Sequence, residues 1–222
     1  MILLHQVNLQ LDTGRVRNGN LFPMHITIPY TPNNLPNKKY NIIYADPPWM
    51  TKNWSEKGGK RGAKKHYQLM ENEDIYKMPI NSITKKNCIL FLWVCFPQLD
   101  VGIKTIKEWG FDYKTCGFVW VKTNKNFNTK QNSFLPIDSF DSFWGLGYWT
   151  RANVELCILA TKGKLKKQSS SVHQLVYEPR RKHSQKPNCI RDKIIELCGD
   201  LPRIELFARE KVEGWDCWGN EV

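Results

Sequence analysis

Five short apolar runs recur along the chain, and each has the length of a buried β-strand rather than that of a helix. They occupy residues 41–45, 88–94, 116–121, 154–160 and 203–209. Residues 171–177 predict a shorter strand at a sheet edge. Continuous apolar runs, without polar residues at alternate positions, are typical of strands covered on both faces. The pattern therefore predicts a central sheet that is buried on both sides.

Two segments instead carry apolar residues at helical spacing. In the first, residues 97–110, the stripe consists of Leu99, Ile103, Ile106 and Trp109. The second is residues 187–199, where the stripe consists of Ile190, Ile194, Ile195 and Leu197. Pro187 suits the first turn of this helix and Gly199 its end. The first helix lies between two predicted strands, and this order predicts a crossover unit and hence a parallel sheet.

The length of the chain and the positions of its glycines and prolines predict one α/β domain. The 222 residues are enough for one domain with a substantial core. Glycines and prolines interrupt residues 1–38, which we expect to form an N-terminal arm packed on the domain. Residues 39–222 then form the single domain.

The first apolar run ends abruptly at Asp46-Pro47-Pro48-Trp49. Proline cannot donate a hydrogen bond to a sheet, so the strand ends there and Asp46 lies at its carboxyl end. Ligands bind at that edge of open α/β sheets. Asp-Pro-Pro is also ordinary turn chemistry, and this interpretation stays open at this point.

An exocyclic amino group on a nucleic-acid base matches this turn. Its lone pair is delocalised into the ring, and attack on a methyl donor requires that conjugation to weaken. The Asp46 carboxylate and the Pro47 carbonyl would accept the two amino hydrogens, while the Trp49 indole stacks on the base. The arrangement favours nucleophilic displacement over proton abstraction by a strong base.

Charge and cysteine usage narrow the class of protein. Lys and Arg number 33 against 21 acidic residues, and the resulting net charge of +12 suits a polyanionic partner such as nucleic acid, although other basic proteins share it. The seven cysteines include no Cys-x-x-Cys pair, which favours reduced thiols over disulfides or zinc ligands. No apolar stretch reaches transmembrane length, so we expect a soluble intracellular protein without a metal.

Two basic segments are candidates for contacting nucleic acid. The loop after the Asp46 turn contains Lys57, Lys60, Arg61, Lys64 and Lys65 among glycines, and it forms either a phosphate clamp or a solvated surface loop. Residues 122–150 interleave basic and aromatic side chains, as single strands and flipped bases require. Candidate contacts there are Lys122, Trp144 and Tyr148.

Residues 40–221 resemble the family named after the seventy-kilodalton subunit of the mRNA adenosine methyltransferase. The resemblance lies in Asp46-Pro47-Pro48-Trp49, the His-Ser-Gln-Lys-Pro string at 183–187 and the closing segment 214–221. It implies a Rossmann-like sheet with permuted motif order, in which the catalytic strand comes first and the donor-binding strand last. It also implies S-adenosyl-L-methionine as the methyl donor.

The resemblance further implies roles for individual residues. Tyr67 and Arg151 are expected to contact the substrate. The expected donor-binding residues are Asp46, Lys186, Glu205, Phe207, Arg209, Asn220 and Glu221. No Gly-x-Gly-x-x-Gly loop follows any predicted strand, and Arg209 stands at the end of the last strand instead.

The predicted function is methylation of the adenine amino group in nucleic acid by a site-specific enzyme. The compact length favours DNA, a bacterial or phage setting and a cytoplasmic location, or a nuclear one in a eukaryote. The alternatives are an RNA adenosine methyltransferase, a cytosine amino-methyltransferase and a non-catalytic nucleic-acid-binding subunit. Pairing with itself or with a related methyltransferase-like subunit is a further expectation.

Overall fold

The computed structural model describes residues 35–50, 69–124, 145, 149–181 and 185–222. The N-terminal arm up to residue 34 lies outside the described residues. So do some of the predicted substrate contacts, namely Lys57, Lys60, Arg61, Lys64, Lys65, Tyr67, Trp144 and Tyr148.

Seven strands and three helices make up the described part of the chain. The strands are β1 Tyr40–Ala45, β2 Thr84–Val94, β3 Asp112–Thr123, β4 Val154–Lys162, β5 Leu175–Pro179, β6 Arg203–Leu206 and β7 Asp216–Trp218. The helices are α1 Asn72–Tyr76, α2 Leu99–Glu108 and α3 Cys189–Cys198. Short 3₁₀ turns at Ile80–Ile83 and Phe96–Gln98 precede β2 and α2. Every predicted strand is present, whereas β7 was not predicted.

The strands form one sheet in the order β5-β3-β4-β2-β1-β6-β7. All neighbouring pairs are parallel except those of β4, which runs antiparallel to both β2 and β3. The prediction of an α/β Rossmann-like sheet is confirmed. The expectation of a purely parallel sheet is wrong. The predicted crossover unit would place β2 and β3 side by side, but β4 inserts between them and runs antiparallel to both.

The first and sixth strands lie side by side at the point where the strand order reverses. From β1 the chain proceeds through β2 toward the β5 edge, then returns through α3 to β6 on the other side of β1. Crevices for ligands in open α/β sheets form at the carboxyl ends of strands at such a switch point. The permuted order therefore brings the residues after Ala45 and after Leu206 together.

Two apolar clusters cover the two faces of the sheet. One packs α2 through Ile106, with Trp109 just beyond its end, against residues such as Ile43 and Leu90. The other packs α3 through Ile190 and Ile194. Leu99, predicted in the α2 stripe, is instead 37% exposed. The helix approaches β2 through Gly102, where an added Cβ would lie 2.4 Å from Val94 Cγ1.

Candidate active site

The Asp46 turn begins where the prolines predict. β1 ends at Ala45, and the Asp46 backbone N–H donates to the Leu206 carbonyl at 3.5 Å, which joins the turn to the end of β6. The Pro47 carbonyl accepts the backbone N–H of Trp49 at 2.8 Å. One lone pair of this predicted acceptor is thus used within the turn, and a carbonyl oxygen has a second.

Trp49 is a core residue in this structure. Only 6% of its surface is exposed, and its indole N–H donates to the Trp93 carbonyl at 3.0 Å. Trp93 in turn donates its own indole N–H to the Tyr44 hydroxyl at 2.8 Å. These bonds fix the end of the turn to β2. That Trp49 stacks on a base stays a prediction, since the ring is buried here.

Lys186 lies against the Asp46 carboxylate. Its Nζ is 2.7 Å from Asp46 Oδ2 and 3.2 Å from Glu155 Oε2. The same ammonium stands 5.5 Å from the centre of the Trp93 ring, and the Lys186 side chain is only 10% exposed. The segment that leads into α3 therefore places a buried cation between two carboxylates at the carboxyl edge of the sheet.

Lys122 completes a row of four alternating charges. Its Nζ is 2.5 Å from Glu155 Oε1 and 5.3 Å from the centre of the Trp120 ring. Because β4 is antiparallel, Glu155 near its start lies beside the ends of β2 and β3. Asp46, Lys186, Glu155 and Lys122 together form what we call the charge row, in which the charges balance.

The members of the charge row shift one another's pKa values. Burial raises the pKa of the Asp46 carboxyl, against the opposing charge of Lys186. Burial by itself also raises the pKa of Glu155, but Lys186 and Lys122 outweigh it and lower that pKa to about 2. Burial would lower the pKa of Lys186, yet Asp46 and Glu155 outweigh it and raise it. Lys186 and Glu155 are therefore charged at neutral pH.

On the β6 side, Glu205 is fully engaged by an arginine. Arg191 of α3 donates from Nε to Glu205 Oε2 at 2.7 Å and from Nη2 to Oε1 at 3.1 Å. Both side chains are almost entirely buried. In this structure the contact of Glu205 is this bidentate pair, and its predicted contact with the donor stays a prediction.

The segments after β6 and β7 pack against each other next to the Asp46 turn. Phe207 adopts a left-handed φ of 62°, which ends β6 three residues before the predicted end, and its ring meets Trp218 edge-on at 5.4 Å. The Ala208 backbone N–H donates to the Trp218 carbonyl at 2.9 Å. An added Cβ on Gly219 would lie 2.3 Å from the Ala208 oxygen, so only glycine permits this approach.

Of the predicted donor residues, four lie at this junction: Phe207, Arg209, Asn220 and Glu221. Arg209 Nη1 lies 3.3 Å from Glu221 Oε1, and half-buried Asn220 comes between Gly219 and Glu221. The charge of Arg209 also acts on Asp46. Arg151 is exposed and immediately precedes Ala152, which forms an isolated bridge with Gly145 at the approach to β4. The structure thus unites the ends of β1, β6 and β7 with Lys186 and Lys122.

Sequence reasoning missed Glu155 and Arg191. The available signals were a carboxylate inside an apolar strand and an arginine beside the apolar stripe of α3. Among the described residues, no cluster of three or more His, Cys, Asp or Glu side chains could hold a metal ion. The absence of a metal therefore stays a prediction. No helix in the described ranges is long and apolar enough to cross a membrane.

One open cavity of about 690 Å³ lies away from this chemistry. Lys38, Tyr40, Trp215 and Asp216 are among its lining residues. These residues stand at the starts of β1 and β7, whereas Asp46 follows the opposite end of β1. We locate the candidate active site by its charged groups at the switch point and not by this cavity.

A proline-bounded carboxylate lies at the switch point of a Rossmann-like sheet, as the resemblance to amino-methyltransferases implies. The MT-A70 family model matches residues 40–221, and the chain belongs to the MT-A70 family. The resemblance noted from the sequence is confirmed.

Three relatives show how far the similarity extends. The type II methyltransferase M.MunI of Mycoplasma sp is 33% identical over 223 residues, covering 93% of this chain and 86% of that protein. The N(6)-adenine-specific methyltransferase METTL4 of Homo sapiens is 28% identical, over 83% of this chain and 38% of that protein. The N(6)-adenosine-methyltransferase subunit METTL3 of Danio rerio is 25% identical, over 83% of this chain and 28% of that protein.

The family and these relatives confirm the predicted activity. The chain is an enzyme of the kind that methylates the N(6) amino group of adenine, and the methyltransferase family implies S-adenosyl-L-methionine as the donor. A relative named as an N6-methyladenosine RNA methyltransferase, from Pyricularia oryzae, belongs to the same set.

Proposed function

We propose that the chain methylates the exocyclic amino group of adenine in DNA, with Asp46 as the principal acceptor of the amino hydrogens. The observation that carries the proposal is a partly buried Asp46 carboxylate at the meeting point of β1 and β6, charge-paired at 2.7 Å. Support for DNA rather than RNA comes from the type II methyltransferase, which is similar over most of both chains.

Asp46 and the Pro47 carbonyl prepare the nitrogen for attack. A carboxylate oxygen and the second lone pair of the Pro47 carbonyl accept the two amino hydrogens, which draws the nitrogen toward a tetrahedral shape. Pro47 and Pro48 follow Asp46 and restrict φ on either side of the Pro47 carbonyl, so little reorganisation is needed as the bond forms. The proton that leaves the methylated nitrogen then has a carboxylate of raised pKa beside it.

The residues after β6 and β7 fit the methyl donor chemically. S-adenosyl-L-methionine, when bound, supplies a methyl group on a positively charged sulfur. Its amino-acid carboxylate matches the cation of Arg209, and its ribose hydroxyls match the amide of Asn220 and the carboxylate of Glu221. Lys186, also predicted to contact the donor, is ion-paired with Asp46 and Glu155 in this structure. Arg191 fixes the position of Glu205 on β6, next to these donor-binding residues.

We propose from charge which surface contacts the phosphates of the nucleic acid. The net charge of +12 supports it, as do the basic loop after Asp46 and exposed Arg151. We also propose association with a second methyltransferase-like chain, because the METTL3 relative is named as a subunit. Light scattering with and without nucleic acid tests this association.

Transfer of a labelled methyl group tests the function. The chain would be incubated with labelled S-adenosyl-L-methionine and single-stranded DNA, duplex DNA or RNA of matched sequence, followed by nucleoside digestion and mass analysis. We expect N(6)-methyldeoxyadenosine from DNA. Asp46→Asn should lower the rate by on the order of 100- to 1000-fold. Exposed Glu213→Gln serves as the matched surface control.

Each other outcome has a defined meaning. Product from RNA alone would replace DNA by RNA in the proposal. Methylcytosine would contradict adenine as the target base. A folded chain that binds nucleic acid but no S-adenosyl-L-methionine would support the non-catalytic alternative.

A further inference from the structure

We propose that Glu155 is a positioning residue that holds the Lys186 ammonium away from Asp46 while Asp46 engages the adenine amino group. This inference rests on the proposed function. It starts from the position of the Lys186 ammonium, whose Nζ lies 2.7 Å from Asp46 Oδ2. The Asp46 carboxylate is the group that accepts the adenine amino hydrogens in the proposed reaction.

A cation bonded to Asp46 opposes the reaction. Positive charge develops on the adenine nitrogen as it takes the methyl group, and a nearby ammonium repels that charge. The same ammonium also competes for the electron density that the amino hydrogens require. In a buried site such effects are stronger than in water, because the local dielectric constant is low. Catalysis therefore needs a second partner for Lys186.

Glu155 is placed to be that partner. Its Oε2 is already 3.2 Å from Lys186 Nζ, so the ammonium can move from Asp46 toward Glu155 without leaving ion-pair distance of a carboxylate. Lys186 is only 10% exposed, and another location would need its own buried acceptor. An ammonium buried without a carboxylate would be costly.

Lys122 keeps Glu155 available for this role. It occupies Glu155 Oε1 at 2.5 Å, which leaves Oε2 directed at Lys186. Because β3 and β4 supply Lys122 and Glu155 from adjacent strands, their relative position is set by the sheet itself. Glu155 is thus a fixed acceptor, whereas Lys186 lies in the segment that leads into α3 and can adjust.

Replacing the carboxylate tests the inference. In Glu155→Gln, Lys186 loses its alternative anion and stays on Asp46. We expect kcat for methyl transfer to fall by on the order of 100-fold, as for a misplaced catalytic group, with S-adenosyl-L-methionine affinity unchanged. Glu155→Asp, which keeps the charge, should recover part of the rate. Glu213→Gln is the surface control.

The pH profile separates positioning from a general structural defect. The charged or titratable groups that act on or near Asp46 are Lys186, Glu155, Arg209, Glu205 and the thiols of Cys95 and Cys157. The negative charge of Glu155 repels the Asp46 carboxylate and so raises the pKa of Asp46. Removing that charge in Glu155→Gln therefore lowers the pKa of Asp46. The acid limb of kcat should therefore move to lower pH in Glu155→Gln and stay in place in Glu155→Asp.

The outcomes distinguish this inference from the proposed function. Active wild type with Glu155→Gln unchanged in both kcat and acid limb would overturn the role of Glu155 and leave the function standing. Absence of transfer by wild type on every nucleic acid would overturn both. If Glu155→Gln does not fold, Glu155→Asp decides: an intermediate kcat at the wild-type acid limb supports the role, and an unchanged kcat refutes it.

Discussion

Removing Arg191 should destabilise the protein by an amount that depends on pH. Arg191→Met deletes both donors to Glu205, at 2.7 and 3.1 Å, and among the described residues no other cation then lies at bonding distance from that carboxylate inside the domain. Methionine preserves much of the apolar volume, so the lost charge pair dominates the effect.

The structure bounds the size of this loss. Breaking a buried ion pair by removing one partner costs about 3–5 kcal/mol. Glu205 can escape its buried charge by taking up a proton, which for a carboxyl of ordinary pKa 4.5 costs about 3.4 kcal/mol at pH 7. We therefore expect the free energy of unfolding to fall by about 3 kcal/mol at pH 7.

The sign of the pH dependence follows from the proton uptake. Burial raises the pKa of Glu205, and Arg191 opposes that rise, so the pKa is higher still in Arg191→Met. A group with a raised pKa in the folded state contributes fully below its unfolded pKa, and the contribution is lost as pH rises. At pH 5 the cost of protonation is only about 0.7 kcal/mol, so the defect should shrink to roughly 1 kcal/mol.

Urea unfolding followed by circular dichroism at pH 7 and pH 5 measures both values. Exposed Arg151→Met is the matched control, and we expect it to change stability by less than about 0.5 kcal/mol. The double variant Arg191→Met with Glu205→Leu should recover most of the loss, because no charge is then left buried. A defect below about 1 kcal/mol at pH 7, or one that does not shrink at pH 5, would refute the reasoning.

Two further predictions concern the sheet and the substrate surface. Gly102→Ala should cost about 1–3 kcal/mol in urea unfolding, because its Cβ would lie 2.4 Å from Val94 Cγ1; an unchanged midpoint would mean that α2 is free to shift. Replacing Lys57, Lys60, Arg61, Lys64 and Lys65 by Ala should flatten the salt dependence of duplex binding by about 0.9 in slope for each phosphate that the loop no longer neutralises, measured by fluorescence anisotropy. The same slope in this variant and in wild type would show that the loop is not a phosphate clamp.

Local sequence was sufficient for six of the seven described strands and for the Asp46 turn, whereas β7 was not predicted. Apolar runs of strand length define β1 and β2, and Pro47 ends the first run because it lacks an N–H. The end of β6 was placed too late, since Phe207 adopts a left-handed φ that its residue type does not predict.

The sequence by itself determined an α/β domain with a carboxylate at a strand end, because strand length and the effect of proline depend on neighbouring residues, and the permuted order came from the family resemblance. The tertiary structure alone decided what surrounds that carboxylate. Glu155 reaches Lys186 because β4 inserts antiparallel between β2 and β3, and Trp49 is buried in the core cluster, where its indole N–H finds the Trp93 carbonyl. Such contacts form between residues far apart in the chain, and no local sequence pattern specifies which distant residues will be in contact.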